Sequence, residues 1–398
     1  MKLFGLVFRN LIRTGTLRIT DADGTRHIFA GRVPGPSIGI TLLDPKLHWR
    51  IFLDGEMAVG EGYMNGALTI DDGASLIDFL HVIYGNFINA PRHGAFGAVL
   101  EAQRMIRRWV SRNPLASSKR NVAHHYDLKD ELFDLFLDAD KQYSCAYFAS
   151  PTDTLEQAQI NKKRHIGKKL LIKPGMKVLD IGSGWGGMAL TLAKDFGADV
   201  TGITLSEHQL AISQLRAAEA GLSDRCRFIL RDYRNEEGRF DRVVSVGMYE
   251  HVGLRHGQAF FRQVSKLLAD DGVALIHTIA KFRDPGPIPT WTSKYVFPGA
   301  YVPTLSEITP AIEKSGLYFS DIETLRIHYA ETLRHWRERL YAHKNDVEKM
   351  YDARFFRMWD FYLTGSEVAF RQGELMIAQI QIEKRLGTVP LTRSYLHT

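Results

Sequence analysis

Along residues 177–278, short apolar runs alternate with longer stretches whose apolar residues recur at helical spacing. Residues 177–181 form a β-rich run, followed by glycines and a helical pattern over 188–196. A second strand is predicted at 199–204, with Ser206 capping a helix from 207 to about 220. Further strands are predicted at 227–230, 242–246 and 273–278, with helices between them. Strands alternating with helices predict a parallel sheet in a doubly wound α/β fold. Residues 1–90 read differently, as short strands and turns. A strand at 16–20 is closed by Asp21-Ala22-Asp23-Gly24, and strands at 26–30 and 38–42 follow, which predicts a small, separate α+β domain. Residues 91–120 are polar and rich in arginine (Arg104, Arg107, Arg108, Arg112) and read as a linker to a third stretch, 121–398. Near its end, residues 331–386 are helix-rich and aromatic. The stripe Trp336, Phe355, Phe356, Trp359 and Phe361 predicts core or lid packing rather than a cofactor box.

Composition narrows the setting. Of 398 residues, 45% are hydrophobic and 24% charged, the balance of a folded enzyme. Two cysteines, Cys145 and Cys226, are too few for a disulfide framework and point to a reducing compartment, so a cytoplasmic location is expected. No apolar run reaches bilayer length. The first segment carries Leu3, Phe4, Val7, Phe8 and Leu11 at helical spacing, but Arg9 and Arg13 interrupt it, and no signal peptide is expected. A net charge of +6 suits a polyanionic partner, either nucleic acid or an anionic lipid surface. No nucleic-acid-binding signature is present, so no nucleic-acid partner is expected.

The richest chemistry lies in Val178-Leu179-Asp180-Ile181-Gly182-Ser183-Gly184-Trp185-Gly186-Gly187, where a strand ends, glycines turn the chain and a helix begins. The glycines alone also fit a dinucleotide fingerprint. Three features favour S-adenosylmethionine. Asp180 can balance a cationic amino-acid ligand but would repel a pyrophosphate. The second strand ends in Thr204-Leu205-Ser206, without the ribose-binding acid of a nicotinamide site. Asp232-Tyr233, after the third strand, offers a carboxylate and an aromatic face to an adenine.

The chain resembles the cyclopropane-fatty-acyl-phospholipid synthase family, with its mycolic acid relatives. The resemblance rests on His125-Tyr126-Asp127-Leu128, Tyr143-Ser144-Cys145-Ala146-Tyr147-Phe148, the glycine loop, Gly202-Ile203-Thr204-Leu205-Ser206, Met248-Tyr249-Glu250-His251-Val252-Gly253, His277-Thr278-Ile279 and His328-Tyr329-Ala330. It is weaker at Gly60-Glu61-Gly62-Tyr63-Met64-Asn65-Gly66. It implies a class I methyltransferase fold, Rossmann-like, with a smaller lipid-interacting domain at 1–90. It further implies that Tyr143 and Ser144 contact the cofactor's methionine part with the backbone of Gly182 and Gly184, that Thr204, Leu205 and Gln209 surround ribose and adenine, and that Tyr233 packs on the adenine. Cys145, Glu250, His277, Ile279 (through its backbone) and Tyr329 match residues that hold a bicarbonate ion. Taken singly, Cys145 reads as an inert buried thiol, His277 as a satisfied core histidine and Glu250 as the acid of a helix start. His124-His125 invite a metal reading, but no matching ligand cluster appears and no metal is expected.

The implied reaction places the methyl group of S-adenosylmethionine on a cis double bond of a phospholipid acyl chain. The resulting carbocation loses a proton from the new methyl to bicarbonate, which closes a cyclopropane ring. Glu250 would accept the bicarbonate hydroxyl proton, and Tyr126, Tyr147, Phe148 and Tyr249 are candidates to face the cation, a contact worth about 2 kcal/mol when desolvated. The full first domain and the basic charge favour phospholipid at an anionic bilayer, peripherally and from the inner face, and the resemblance implies a homodimer. A branched or methylene product on the same fold is the near alternative. A silent lipid-binding protein and a small-molecule methyltransferase are the distant ones.

Overall fold

A computed structural model of the chain describes residues 2–88, 128–283 and 285–397. The expected linker at 91–120 and the residues His124, His125, Tyr126 and Asp127 lie outside the described residues, as do the side chains of Leu3, Phe4 and Val7. The chain forms two compact units that interleave along the sequence: Met1–Phe136 with Ile288–Gly299 and Leu333–Glu374, and Leu137–Pro287 with Ala300–Thr332 and Leu375–Thr398. Much of the aromatic stretch near the C-terminus therefore belongs with the N-terminal residues rather than with the sheet that follows them. Its stripe is core, as expected: Trp336, Phe355 and Trp359 are buried.

In the first unit, strands β1 (Thr14–Thr20), β2 (Arg26–Ala30), β3 (Val33–Leu42) and β4 (Leu68–Ile70) form a sheet of order β2-β1-β3-β4. The β1–β2 hairpin turns where the sequence places it, at Asp21–Gly24. Three helices were not foreseen: Leu47–Leu53, Gly55–Met64 and Leu76–Ile88. The second is glycine-rich, and glycine disfavours helix, yet packing requires it. A Cβ at Gly60 would sit 2.4 Å from the Trp291 ring. The rest of that motif ties the unit's segments together. Tyr63 donates to Asp360 (2.7 Å), Glu61 accepts from Tyr295 (2.7 Å) and Lys294 (2.8 Å), and Asn65 accepts from Arg354 (2.8 Å).

In the second unit, seven strands lie in the order β10-β11-β9-β8-β5-β6-β7. They are β5 (Lys177–Ile181), β6 (Asp199–Thr204), β7 (Cys226–Leu230), β8 (Phe240–Val246), β9 (Leu268–Lys281), β10 (Tyr318–Thr324) and β11 (Leu375–Glu383). Strands β5 to β9 run parallel to one another, and β11, antiparallel to β9, and β10, antiparallel to β11, extend the sheet at one edge. Five of the seven fall where the sequence predicts strands. β11 falls in the stretch read as helical, because eight of its nine residues are buried and the period-2 alternation that marks a strand is lost. Ser206 caps the helix Glu207–Glu219 as expected, accepting from Gln209 N (3.2 Å), a cap worth about 1 kcal/mol.

Candidate active site at the carboxyl edge of the sheet

The parallel strands end on one edge, and the crossover direction reverses between β5 and β8, the place where open α/β sheets hold ligands. Asp180, next to last in β5, lies level with Gly202 on one side and Val244 on the other. After β5 the backbone turns back, and Gly182 N and Ser183 N both donate to Ile203 O (2.9 and 3.0 Å). Gly187 is a packing requirement: its Cβ would lie 2.3 Å from Asp140 Oδ2 and Gln142 Nε2. Gly184, at φ +55°, differs, since a Cβ there would meet nothing within 4 Å. Its backbone is open to a ligand.

Asp180 is 2% exposed, and its Oδ2 has no hydrogen-bond partner. Burial pushes its carboxyl up to about 7, with Lys162 pulling it part of the way back. A buried carboxylate lacking a donor fits a cationic amino group, as S-adenosylmethionine carries. On the adjacent strand, Thr204 donates to Gln209 Oε1 (3.1 Å), while Leu205 stands 72% exposed. Tyr233 is half-buried and packs edge-on against Phe260 (5.2 Å). Asp232 caps the turn Tyr233–Asn235 and pairs with Arg234 at 2.5 Å. Arg234 holds its carboxyl below the usual range. Tyr143 and Ser144 lie partly exposed, and Ser144 Oγ accepts from Lys162 (2.8 Å).

The second cluster sits at the ends of β8 and β9. Val246 pairs with His277, and Gly247 N donates to His277 O (2.9 Å). Gln379, opposite His277 on β11, places its side-chain nitrogen 3.2 Å from His277 Nδ1. That nitrogen donates, so Nδ1 accepts and the ring proton resides on Nε2, which is buried with no partner. Burial holds the imidazole neutral, well below its ordinary pKa. Glu250 is also buried, and desolvation raises its pKa, with the Ile279 N–H opposing. That N–H donates to Glu250 Oε1 (2.6 Å), so the Ile279 backbone orients Glu250. Glu250 Oε2 has no partner. Cys145 is buried and its thiol donates to Ala146 O (3.2 Å), and burial pushes its pKa far up, so no thiolate forms. Tyr329 lies in the helix Arg326–Ala342 and is 8% exposed. Thr332, one turn on, accepts from Ala146 N (3.0 Å) and ties that helix face to the Cys145 segment.

Three of the aromatic candidates already pack on other rings, Phe148 on His328 (6.3 Å) among them. The Tyr147 ring stacks on His165 (4.3 Å) and His328 (4.9 Å). Tyr249 is buried against Phe260 and Phe261. Sequence reasoning missed Lys162 and Gln379. Lys162 sits in Leu155–Lys169, whose lysine-rich sequence reads as a solvated face, yet it is fully buried. Gln379 and Gln381, two apart in an apolar strand, were the available signal of a polar demand on one face.

The family model for mycolic acid cyclopropane synthetase matches residues 114–380. Cyclopropane-fatty-acyl-phospholipid synthase of Escherichia coli K12 is 33% identical over 350 residues, covering 86% of each chain. Tuberculostearic acid methyltransferase UfaA1 of Mycobacterium tuberculosis is 34% identical, covering 93% of this chain and 89% of that one. The crystal structure of mycolic acid cyclopropane synthase CmaA1 complexed with SAH and CTAB superposes with a TM-score of 0.63 at 32% identity, covering 67% of this chain and 98% of that one.

Proposed function

Because the chain belongs to the mycolic acid cyclopropane synthetase family and is an S-adenosylmethionine-dependent methyltransferase of the cyclopropane-fatty-acyl-phospholipid synthase type, we propose that it converts cis double bonds in the acyl chains of membrane phospholipids to cyclopropane rings, with bicarbonate as the base. The observation that carries the reading is the pair of buried, unsatisfied atoms Glu250 Oε2 and His277 Nε2 on the same sheet edge as Asp180.

When bound, S-adenosylmethionine supplies an electrophilic methyl group. Bicarbonate supplies a base for the proton lost as the ring closes. The residues fit an ion that both accepts and donates. His277 Nε2–H offers a donor to an anionic oxygen, and its neutrality keeps it from titrating near pH 7. Glu250 Oε2 offers an acceptor to a hydroxyl, which raises the basicity of the group it holds. Gln379 fixes the His277 tautomer, and Ile279 fixes the Glu250 carboxylate. Burial of both side chains keeps water from the reacting centre.

The lipid side draws on the first unit. No helix among the described residues is long and apolar enough to cross a membrane. Helix Leu47–Leu53 presents Trp49 and Leu53, one turn apart and 50% and 68% exposed, beside the exposed cations Lys46 and Arg50. An apolar pair flanked by cations suits the headgroup layer of an anionic bilayer. We place the enzyme there peripherally, on the cytoplasmic side, as a homodimer.

The test is incubation with vesicles of cis-monounsaturated phosphatidylglycerol or phosphatidylethanolamine, S-adenosylmethionine and bicarbonate, followed by mass analysis of the acyl chains. The expected product gains CH₂ and resists hydrogenation as a ring does. A methylene product of equal mass, or a saturated methyl branch two hydrogens heavier, would overturn the ring. Conversion of free fatty acid but not phospholipid would overturn the substrate.

A further inference from the structure

Lys162 is a buried ammonium without a direct counter-ion. It is 0% exposed, and its Nζ donates to two neutral oxygens, Gln142 Oε1 (2.7 Å) and Ser144 Oγ (2.8 Å). Asp138 and Asp140 are committed elsewhere. Asp140 pairs with Lys163 and Arg216, and Asp138 accepts the backbone N–H groups of Asp140 (3.1 Å) and Gln142 (2.9 Å). Burying a charge with only neutral partners is costly, so a site that keeps one has a use for its field. That field reaches Cys145, Asp180 and His277. The hydrogen bond to Ser144 also has a direction. Since Ser144 Oγ accepts from an ammonium, its own O–H is left to donate, and among the described residues it has no acceptor.

Ser144 thus presents a donor backed by a positive charge, while Asp180 presents an unsatisfied carboxylate. The two poles match an α-amino acid zwitterion. We propose that Lys162 is a positioning residue of the cofactor site: through the Ser144 hydroxyl it holds the carboxylate of the cofactor's methionine part, while Asp180 takes the amino group. This rests on the cofactor reading above. Burial pulls the Lys162 ammonium down to about 8, with Asp138 opposing, so its charge is lost within reach of ordinary buffers.

The experiment is calorimetric titration of the full chain with S-adenosylhomocysteine and with its decarboxylated analogue, which keeps the amino group. Lys162→Met is expected to weaken the first by roughly 10- to 100-fold, the range of a charge-assisted hydrogen bond, and the second by no more than about twofold. Ser144→Ala should show the same selectivity with a smaller loss, and serves if Lys162→Met does not fold. In the wild type, the preference for the carboxylated ligand should shrink as the pH rises through about 8. Equal loss of both ligands, or loss of neither, would overturn the proposal. So would unchanged cofactor binding with a raised bicarbonate requirement, which would assign Lys162 to the ion instead. Failure of S-adenosylhomocysteine to bind the wild type would sink the cofactor reading itself.

Discussion

Both units bury carboxylates, but they treat them in opposite ways. In the first unit Asp360, fully buried, receives three hydroxyls: Tyr63 (2.7 Å) and Tyr341 (2.8 Å) on Oδ2, and Thr364 (3.0 Å) on Oδ1. In the second, Asp180 and Glu250 are nearly as buried, yet each keeps an oxygen with no partner. Burial raises the pKa of all three. Satisfaction is what separates them. A carboxylate that is buried and fully bonded has its lost hydration replaced, whereas one that is buried and left open bears that cost unrelieved, the condition in which a ligand can supply the missing partner.

The largest expected effect strikes an open carboxylate. Glu250→Gln keeps the shape but puts an amide donor where the open Oε2 accepts, so the bicarbonate base loses the group that orients it and product formation should fall by at least about 100-fold, with the melting temperature unchanged or higher. Next comes the closed one. Asp360→Ala strands the Tyr63 and Tyr341 hydroxyls and should cost about 3 kcal/mol of stability, read by denaturant unfolding.

How these roles escape sequence inspection is instructive. The Asp180-to-Gly187 turn and the strands on either side were legible because alternation and glycine spacing are local properties. Glu250 and His277 were legible only in the company of their motifs. Asp360 was not legible at all, since its three donors come from residues 63, 341 and 364. Lys162 was passed over for the opposite reason: a run of lysines carries no sign of burial, and only tertiary packing buries it. The interleaving of the two units has no local signature either, because it depends on which segments bury each other's apolar faces.

A smaller effect concerns pH. Asp180 has a folded pKa raised to about 7, above that of an unfolded aspartate. The folded state therefore binds the extra proton between those values, and stability falls as the pH rises through that window. Asp180→Asn should flatten this part of the pH–stability curve, and saturating cofactor should oppose the loss. The smallest effect belongs to Cys145. With its thiol protonated and buried, iodoacetamide should label it far more slowly than a free thiol in the native protein, and Cys145→Ala should lose less than about tenfold in activity.

The central claim is that the two open carboxylates serve two different ligands. Calorimetric titration of S-adenosylhomocysteine into Asp180→Asn and Glu250→Gln, side by side, tests it most directly. The account predicts at least about tenfold weaker binding for Asp180→Asn, the loss of one charge-assisted contact, and binding within about twofold of wild type for Glu250→Gln. Equal weakening in both variants, or weakening only in Glu250→Gln, would contradict it.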